Sequence, residues 1–206
     1  MKLKLIGLAL AGAMFIASPA SAMVLSLTGG TSEPFPTGFN PSGFPAIALP
    51  GTVTVYGGGD NGFGLNLSSA ATLNFEYLGK EGTFSNTFDL GGTLFTTASI
   101  VGSTASAAVG GGLVPFTFTT TGGGGASATN GGPIASNLSI AFANLGDGSF
   151  LAMFNDGGGP DADFDDLVVK VSVSQVPLPA AVWLLLSAVM GLVSFSTIRR
   201  RGSQTA

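Results

Sequence analysis

The residues in this sequence that are most able to do chemistry are acidic ones near its C-terminal end. The stretch NDGGGPDADFDDLVVKV places five of the eleven carboxylates of the chain within eleven residues, at Asp156, Asp161, Asp163, Asp165 and Asp166. Alternate positions of a tight loop can project into one space, and Ca²⁺ prefers such a cage of oxygen ligands. The stretch predicts a calcium site, with an acidic solvated turn as the alternative.

This stretch departs from the helix-loop-helix calcium motif. Asp166 stands where that loop needs its turn glycine, and Ser172 stands where it needs a bidentate glutamate. No helical pattern flanks the stretch. In the absence of a cation, so many like charges would repel one another. Calcium is therefore predicted from the type of ligand alone.

Two glutamates in FEYLGKEGTF suggest a second kind of chemistry. Glu76 and Glu81 resemble the carboxylate pair of a glycosidase. The alternative is one glutamate on the solvent face of a strand and one in a turn beside Lys80. The chain contains no histidine and no cysteine, which excludes Ser-His-Asp and Cys-His nucleophiles, histidine-ligated zinc and disulfides. We therefore predict no enzymatic activity and no catalytic residue.

Two glycine-rich stretches match the dinucleotide fingerprint by spacing only. GGGDNG at residues 57–62 fits G-x-G-x-x-G, and residues 123–128 fit the variant that ends in alanine. A phosphate-binding loop needs a helix to begin there, whereas the sequence after GGGDNG indicates another strand. A glycine-rich turn is the better interpretation.

The elements that must position these residues are β-strands. GTVTVYG alternates with Val53 and Val55 on one face, and ATLNFEYLG alternates with Leu73, Phe75 and Tyr77 on one face. Similar runs are TFSNTFDL, GTLFTTASIV, VPFTFTT, NLSIAFANL, SFLAMFN and DLVVKVSVS. We predict about eight to ten strands in an all-β antiparallel sandwich or jelly roll over residues 23–175. The pieces TGGGGASATNGGP and VGGGLVP are predicted to be flexible surface loops.

The two ends of the chain have a different character from this body. Residues 1–22 have the basic start, apolar stretch and small-x-small ending of a secretory signal peptide, with Ala20 and Ala22 before a cleavage site and Met23 after it. Residues 180–198 carry no charge and, as a helix, would span about 28 Å, close to the thickness of a bilayer core. We expect export through the translocon, cleavage by signal peptidase and one membrane-spanning helix.

The charges indicate the orientation of this helix and exclude one class of partner. Arg199, Arg200 and Arg201 follow the apolar run at once, so the tail at 202–206 is expected in the cytoplasm and the body outside. The body contains every acidic residue of the chain but only two lysines, Lys80 and Lys170. Such a surface repels nucleic acid, since binding to nucleic acid depends on neutralising phosphates.

Residues 176–201 resemble a known sorting signal. Val176, Pro177, Leu178, Pro179 and Ala180, then the apolar run and the arginine cluster, resemble the VPLPA form of the PEP-CTERM signal of exported proteins in Gram-negative bacteria. YLGKEGTFSNTF and DADFDDLVVKV are similar to shorter segments of such proteins. The resemblance implies an exosortase, a membrane-embedded cysteine protease or transpeptidase, as a partner. It also implies a transient inner-membrane anchor, followed by release or transfer to the cell surface.

The body itself leaves two classes of function open. One is a non-enzymatic surface or extracellular-matrix protein, associated with exopolysaccharide or biofilm. The other is a carbohydrate-binding or carbohydrate-active module that uses the acidic residues. Exposed aromatic rings distinguish them, since sugar sites usually present flat Trp or Tyr faces. Because Tyr56 and Tyr77 are the tyrosines of the chain and Trp183 lies in the apolar run, the first class is favoured.

Overall fold

The computed structural model describes residues 24–122, 125–157 and 162–174, together with Ala188. Among these residues, none forms a helix of the length and apolarity needed to cross a membrane. Several predictions lie outside the described residues: the signal peptide at 1–22 with Ala20, Ala22 and Met23, the motif Val176, Pro177, Leu178, Pro179 and Ala180, the arginines Arg199, Arg200 and Arg201, the tail at 202–206, and Asp161. Of the predicted helix at 180–198, only Ala188 is described.

The described body is all-β and its paired strands are antiparallel, as predicted. Its fourteen strands are β1 (Leu25–Thr28), β2 (Thr31–Pro34), β3 (Thr52–Tyr56), β4 (Gly64–Leu67), β5 (Ala71–Gly79), β6 (Asn86–Asp89), β7 (Thr93–Thr96), β8 (Thr104–Val109), β9 (Gly112–Leu113), β10 (Thr117–Thr120), β11 (Ala126–Thr129), β12 (Ser139–Asn144), β13 (Phe150–Asn155) and β14 (Leu167–Val173).

The strands form three sheets in a β-sandwich-like arrangement. The large sheet has the order β2-β3-β12-β13-β14-β5-β8. The second sheet has the order β11-β10-β6-β7, and the third has the order β1-β4-β9. β14 lies inside the large sheet, with β13 on one side and β5 on the other. The strand that leads to the C-terminal segment is thus hydrogen-bonded along both edges.

The main core lies between the large sheet and the two smaller ones. Alternate residues of the large sheet point into it, because successive side chains of a strand project to opposite faces. Phe88, Phe95 and Phe118 supply the facing surface from the second sheet, and Leu65 and Leu67 supply it from the third. The large sheet contributes Leu73, Phe75, Tyr77, Ile140, Phe142, Phe150, Ala152, Phe154, Leu167, Val169 and Val171.

The outer face of the large sheet is also covered. Ala141, Ala143, Leu151, Met153 and Val168 form a second buried cluster there. A covering segment, defined here as residues 35–47, packs on this cluster through its aromatic and aliphatic side chains, which are Phe35, Phe39, Phe44 and Ile47. Since β12 and β13 are thus buried on both faces, their sequences are almost continuously apolar.

The alternation predicted for two strands is confirmed. Leu73, Phe75 and Tyr77 are all buried in the main core, and Val53 and Val55 both pack in the second cluster. The turn predicted for GGGDNG is also present, closed by a hydrogen bond from the backbone N–H of Asp60 to the carbonyl of Gly57 (3.0 Å). β4 follows this turn, so it lacks the helix that a dinucleotide site requires.

The prediction of two flexible glycine-rich loops is wrong in part. TGGGGASATNGGP contains β11, whose Ala128 is fully buried, and Asn130 directly after it is buried as well. VGGGLVP contains β9 and the buried Val114. The small residues of these stretches allow them to pack closely against neighbouring backbone. Because small residues do not alternate between large apolar and polar side chains, the sequence gives no sign of these strands.

Candidate functional site

Two connections between strands lie against each other and carry acidic residues from distant parts of the sequence. One joins β13 to β14 and carries Asp163, Asp165 and Asp166, and the other joins β5 to β6 and carries Glu81. Between the first two aspartates, Phe164 has a positive φ of 61° and its ring is buried in the second cluster. The buried ring anchors this loop, and the left-handed turn sets the direction of the chain between the two aspartates.

Three carboxylates form what we call the carboxylate cluster: Glu81, Asp163 and Asp165. One oxygen from each lies within 4.8 Å of the others. Glu81 is exposed, Asp163 is half-buried and Asp165 is buried. The two connections are fixed to each other by a 2.7 Å hydrogen bond from the backbone N–H of Glu81 to the carbonyl of Asp165. The cluster therefore joins residues that are more than eighty positions apart in the sequence.

Asp165 is the most buried member of the cluster, with only 1% of its surface exposed. Its Oδ2 accepts a 2.7 Å hydrogen bond from the backbone N–H of Asn40, which belongs to the covering segment. Its Oδ1 is buried and has no hydrogen-bond partner among the described residues. The pKa of Asp165 is raised to about 8, mainly by burial; the Asn40 N–H opposes this rise, and the neighbouring carboxylates Glu81 and Asp163 add to it.

Asp156 and Asp166 have different partners from the cluster. The backbone N–H of Asp156 donates to Oδ2 of Asp166 (2.8 Å). The side chain of Asn86, at the start of β6, donates to Oδ2 of Asp156 (2.8 Å) and to the carbonyl of Asp166 (3.2 Å). The pKa of Asp166 is raised to about 7, mainly by burial and in smaller part by the Asp156 carboxylate. The hydrogen bonds among Asn86, Asp156 and Asp166 hold the two ends of the β13–β14 connection together.

The two glutamates of the glycosidase interpretation lie in different settings. Glu76 is half-buried in β5, in register with Lys170 of β14. Lys170 forms its described ion pair with Asp147, at 3.7 Å. Glu81 lies beyond the end of β5 and belongs to the carboxylate cluster. The acidic neighbours of Glu81 in the structure are thus Asp163 and Asp165 of the β13–β14 connection.

Sequence reasoning did not identify Asn40, Asn86 or the role of Glu81. Asn40 acts through its backbone, and any residue except proline has the same N–H donor. Asn86 stands in a strand of ordinary composition, and its partners lie 70 and 80 positions away. In the sequence, Glu81 stands out only as the partner of Glu76 in the glycosidase interpretation.

The raised pKa values predict how stability depends on pH in the metal-free protein. Asp165 and Asp166 bind a proton more tightly in the folded state than in the unfolded state, where the pKa is about 3.9. The stabilisation is fully present below about pH 4 and is lost as pH rises toward the folded values near 7 and 8. We expect the Tm of the full-length protein in EDTA to fall by about 5 °C or more between pH 5 and pH 8.5.

Asparagine variants test this expectation because they imitate the protonated carboxyl group. Asp165→Asn and Asp166→Asn should each flatten the fall in Tm. Asp147→Asn is the control, since a hydrogen bond from the Ser149 hydroxyl keeps the pKa of Asp147 below its usual range and outside this pH window. A Tm that stays constant or rises from pH 5 to pH 8.5 would contradict the expectation.

Comparison of the chain with known protein families, with characterised proteins and with solved structures finds no match.

Proposed function

We propose that the protein is an exported, non-enzymatic component of the cell surface or extracellular matrix that an exosortase sorts and processes at its C-terminal signal. The observation that carries this proposal is the order of three features in residues 176–201. The motif Val176–Ala180 comes first, then an uncharged run to residue 198, then three arginines. A buried helix of a globular body would not need the arginine stop, whereas a membrane anchor does.

The chemistry of the motif suits a protease groove. Pro177 and Pro179 each fix φ near −65° and lack an N–H, and each favours an extended conformation in the residue before it. A segment that is already extended loses little conformational entropy when an enzyme binds it. The composition of the motif therefore suits recognition by a protease.

The motif begins almost directly after the folded body. The backbone N–H of Ser174 donates to the carbonyl of Thr72 (2.8 Å), so the sheet continues to that residue. Only Gln175 separates Ser174 from Val176. Three residues span at most about 10 Å, so Pro177 lies within that distance of Ser174. The proposed anchor would hold the body close to the outer surface of the inner membrane.

Two features of the body support a matrix role over a carbohydrate-active one. Tyr56 and Tyr77 are only 2% and 1% exposed, so neither presents its ring to a sugar. The hydroxyl of Tyr56 donates to the carbonyl of Thr28 (3.0 Å), which shows that this ring belongs to the fold. Glu76 and Glu81 belong to different surroundings, as described above. The proposed partners are the secretion machinery, the exosortase and an extracellular polysaccharide.

A double substitution of the motif tests the sorting proposal. In the native host, Pro177→Ala/Pro179→Ala should reduce the mature form about tenfold or more, the effect of losing about 1.4 kcal/mol of recognition free energy. Uncleaved precursor should accumulate in the inner membrane, as detected by immunoblotting of fractionated cells. Pro34→Ala/Pro36→Ala is the matched control, because these two prolines have the same spacing but lie in the body.

The control variant should mature normally. Mass spectrometry of the mature protein should place its C-terminus at or near the motif. If the Pro177→Ala/Pro179→Ala protein matures to the same C-terminus and in the same amount as the wild type, the proposal is wrong.

A further inference from the structure

The carboxylate cluster has the ligand chemistry and the spacing of a calcium site. One oxygen from each of Glu81, Asp163 and Asp165 lies within 4.8 Å of the other two. Calcium binds oxygen ligands at about 2.3–2.6 Å, so two ligands of one ion are separated by up to about 5 Å. The three oxygens can therefore reach a single ion.

A separate observation also indicates a ligand at this place. Oδ1 of Asp165 is buried without a hydrogen-bond donor among the described residues, although Oδ2 of the same carboxylate has the N–H of Asn40. Asp165 also lies within hydrogen-bonding reach of the Glu81 carboxylate, but a hydrogen bond between two carboxyl groups needs a proton, which a bound cation can replace. A buried carboxylate oxygen without a donor or cation loses its hydration and gains nothing in return. A bound cation removes this cost.

The described part of the protein does not neutralise the cluster by itself. The ion pair found within 4.0 Å among these residues joins Lys170 to Asp147. Lys80 is next to Glu81 in sequence, but its ammonium group donates to the carbonyl of Gly82 (2.8 Å). Around the cluster, the backbone at Gly38 lies so close that a Cβ there would be 3.1 Å from Oδ2 of Asp163. The covering segment thus closes one side of the site.

We propose that one Ca²⁺ ion binds to Glu81, Asp163 and Asp165 and clamps the β5–β6 connection to the β13–β14 connection beneath the covering segment. Asp156 and Asp166 act outside the ion's ligand set by holding the ends of the loop through Asn86. Three carboxylates with water or backbone carbonyls complete the oxygen shell that Ca²⁺ accepts, whereas Mg²⁺ requires stricter octahedral geometry. The inference concerns the body alone and does not depend on the sorting signal.

Thermal unfolding of the full-length protein in a mild detergent tests the proposal. At pH 7.5, 2 mM CaCl₂ should raise the Tm by about 5 °C over EDTA, the effect expected for a dissociation constant near 0.1 mM. The same concentration of MgCl₂ should raise it by less than half as much. Calorimetric titration with CaCl₂ should give one ion per chain.

Matched glutamate variants assign the ion to the cluster. Glu81→Gln should weaken calcium binding about tenfold or more and remove most of the rise in Tm. Glu33→Gln is the control, since Glu33 is an exposed glutamate on β2 and should keep the full rise. Asp163→Asn gives a second test at a half-buried ligand and should behave like Glu81→Gln.

Two results would overturn the proposal. An equal rise in Tm with CaCl₂ and MgCl₂, retained in Glu81→Gln and Asp163→Asn, would show only screening of the acidic surface. No rise with CaCl₂ in the folded wild-type protein would show that the cluster does not bind calcium.

Discussion

A Phe88→Ala substitution is expected to lower the free energy of unfolding by about 4 kcal/mol, the typical cost of deleting a buried phenylalanine ring. Phe88 is fully buried at the centre of an aromatic group in the main core. Its ring centroid lies 5.0 Å from that of Phe116 and 5.2 Å from that of Phe118, in the same half of the sandwich-like body. It also lies 5.6 Å from that of Phe75 in the large sheet. One ring thus joins both halves of the core.

Thermal unfolding of the full-length protein measures this effect. A loss of about 4 kcal/mol corresponds to a Tm lower by about 8–16 °C. Phe63→Ala is the matched control, because Phe63 is 48% exposed and should cost about 1 kcal/mol. Phe88→Leu, which keeps most of the volume, should cost about 1.5 kcal/mol and gives a folded variant if alanine does not. Equal Tm values for Phe88→Ala and Phe63→Ala would contradict the expected role of Phe88.

The second large effect is expected at Asn130, whose buried side chain hydrogen-bonds to the backbone of Leu65 and Val114. Its Oδ1 accepts from the backbone N–H of Leu65 (2.8 Å), and its Nδ2 donates to the carbonyls of Leu65 (2.9 Å) and Val114 (2.8 Å). These bonds connect the second sheet to the third. The amide approaches so closely that a Cβ at Gly64 would be 2.1 Å from Oδ1. Glycine is therefore required at position 64.

We expect Asn130→Ala to lower the free energy of unfolding by about 3 kcal/mol. It removes three buried hydrogen bonds at about 1 kcal/mol each, and it leaves the N–H of Leu65 without this acceptor. The matched control is Asn66→Ala, whose half-buried amide donates to the hydroxyl of Thr28 (2.8 Å) and to the carbonyl of Gly64 (3.0 Å) where water can replace it. Its cost should be below about 1 kcal/mol.

Thermal unfolding again separates the two asparagines. The Tm of Asn130→Ala should fall by about 6–12 °C and that of Asn66→Ala by less than about 4 °C. If the two variants unfold at the same temperature, the amide of Asn130 does not connect the sheets in the way described.

Strands with alternating large apolar residues could be predicted from the sequence. β5 is the clearest case, because Leu73, Phe75 and Tyr77 alternate with polar residues and face the main core. β8 was not predicted, since its alanines and serine give little apolar contrast. β11 was not predicted either, because glycine surrounds it and its small residues ASAT give no alternation of large apolar side chains, although it pairs with the preceding strand β10. Local pattern succeeds where side-chain size alternates and fails where backbone pairing alone forms the strand.

The covering segment and the carboxylate cluster could not be predicted from local sequence patterns. Residues 35–47 contain prolines and glycines that indicate a loop, and nothing local indicates that their phenylalanines cover the second face of a sheet. Asp163 and Asp165 could be selected by their spacing. Glu81 could not be grouped with them, because only the fold brings the two connections together.

The position of β14 has a mechanical consequence. Its Val173 is the last residue of the strand, and the sheet continues through the bond of Ser174 to Thr72. Under the proposed anchoring, a pull from the membrane that acts along β14 would load the strand in shear. The hydrogen bonds to β13 and β5 would then share the force instead of opening one at a time. The body would therefore resist traction at its tether, and release would depend on cutting the chain beyond residue 174.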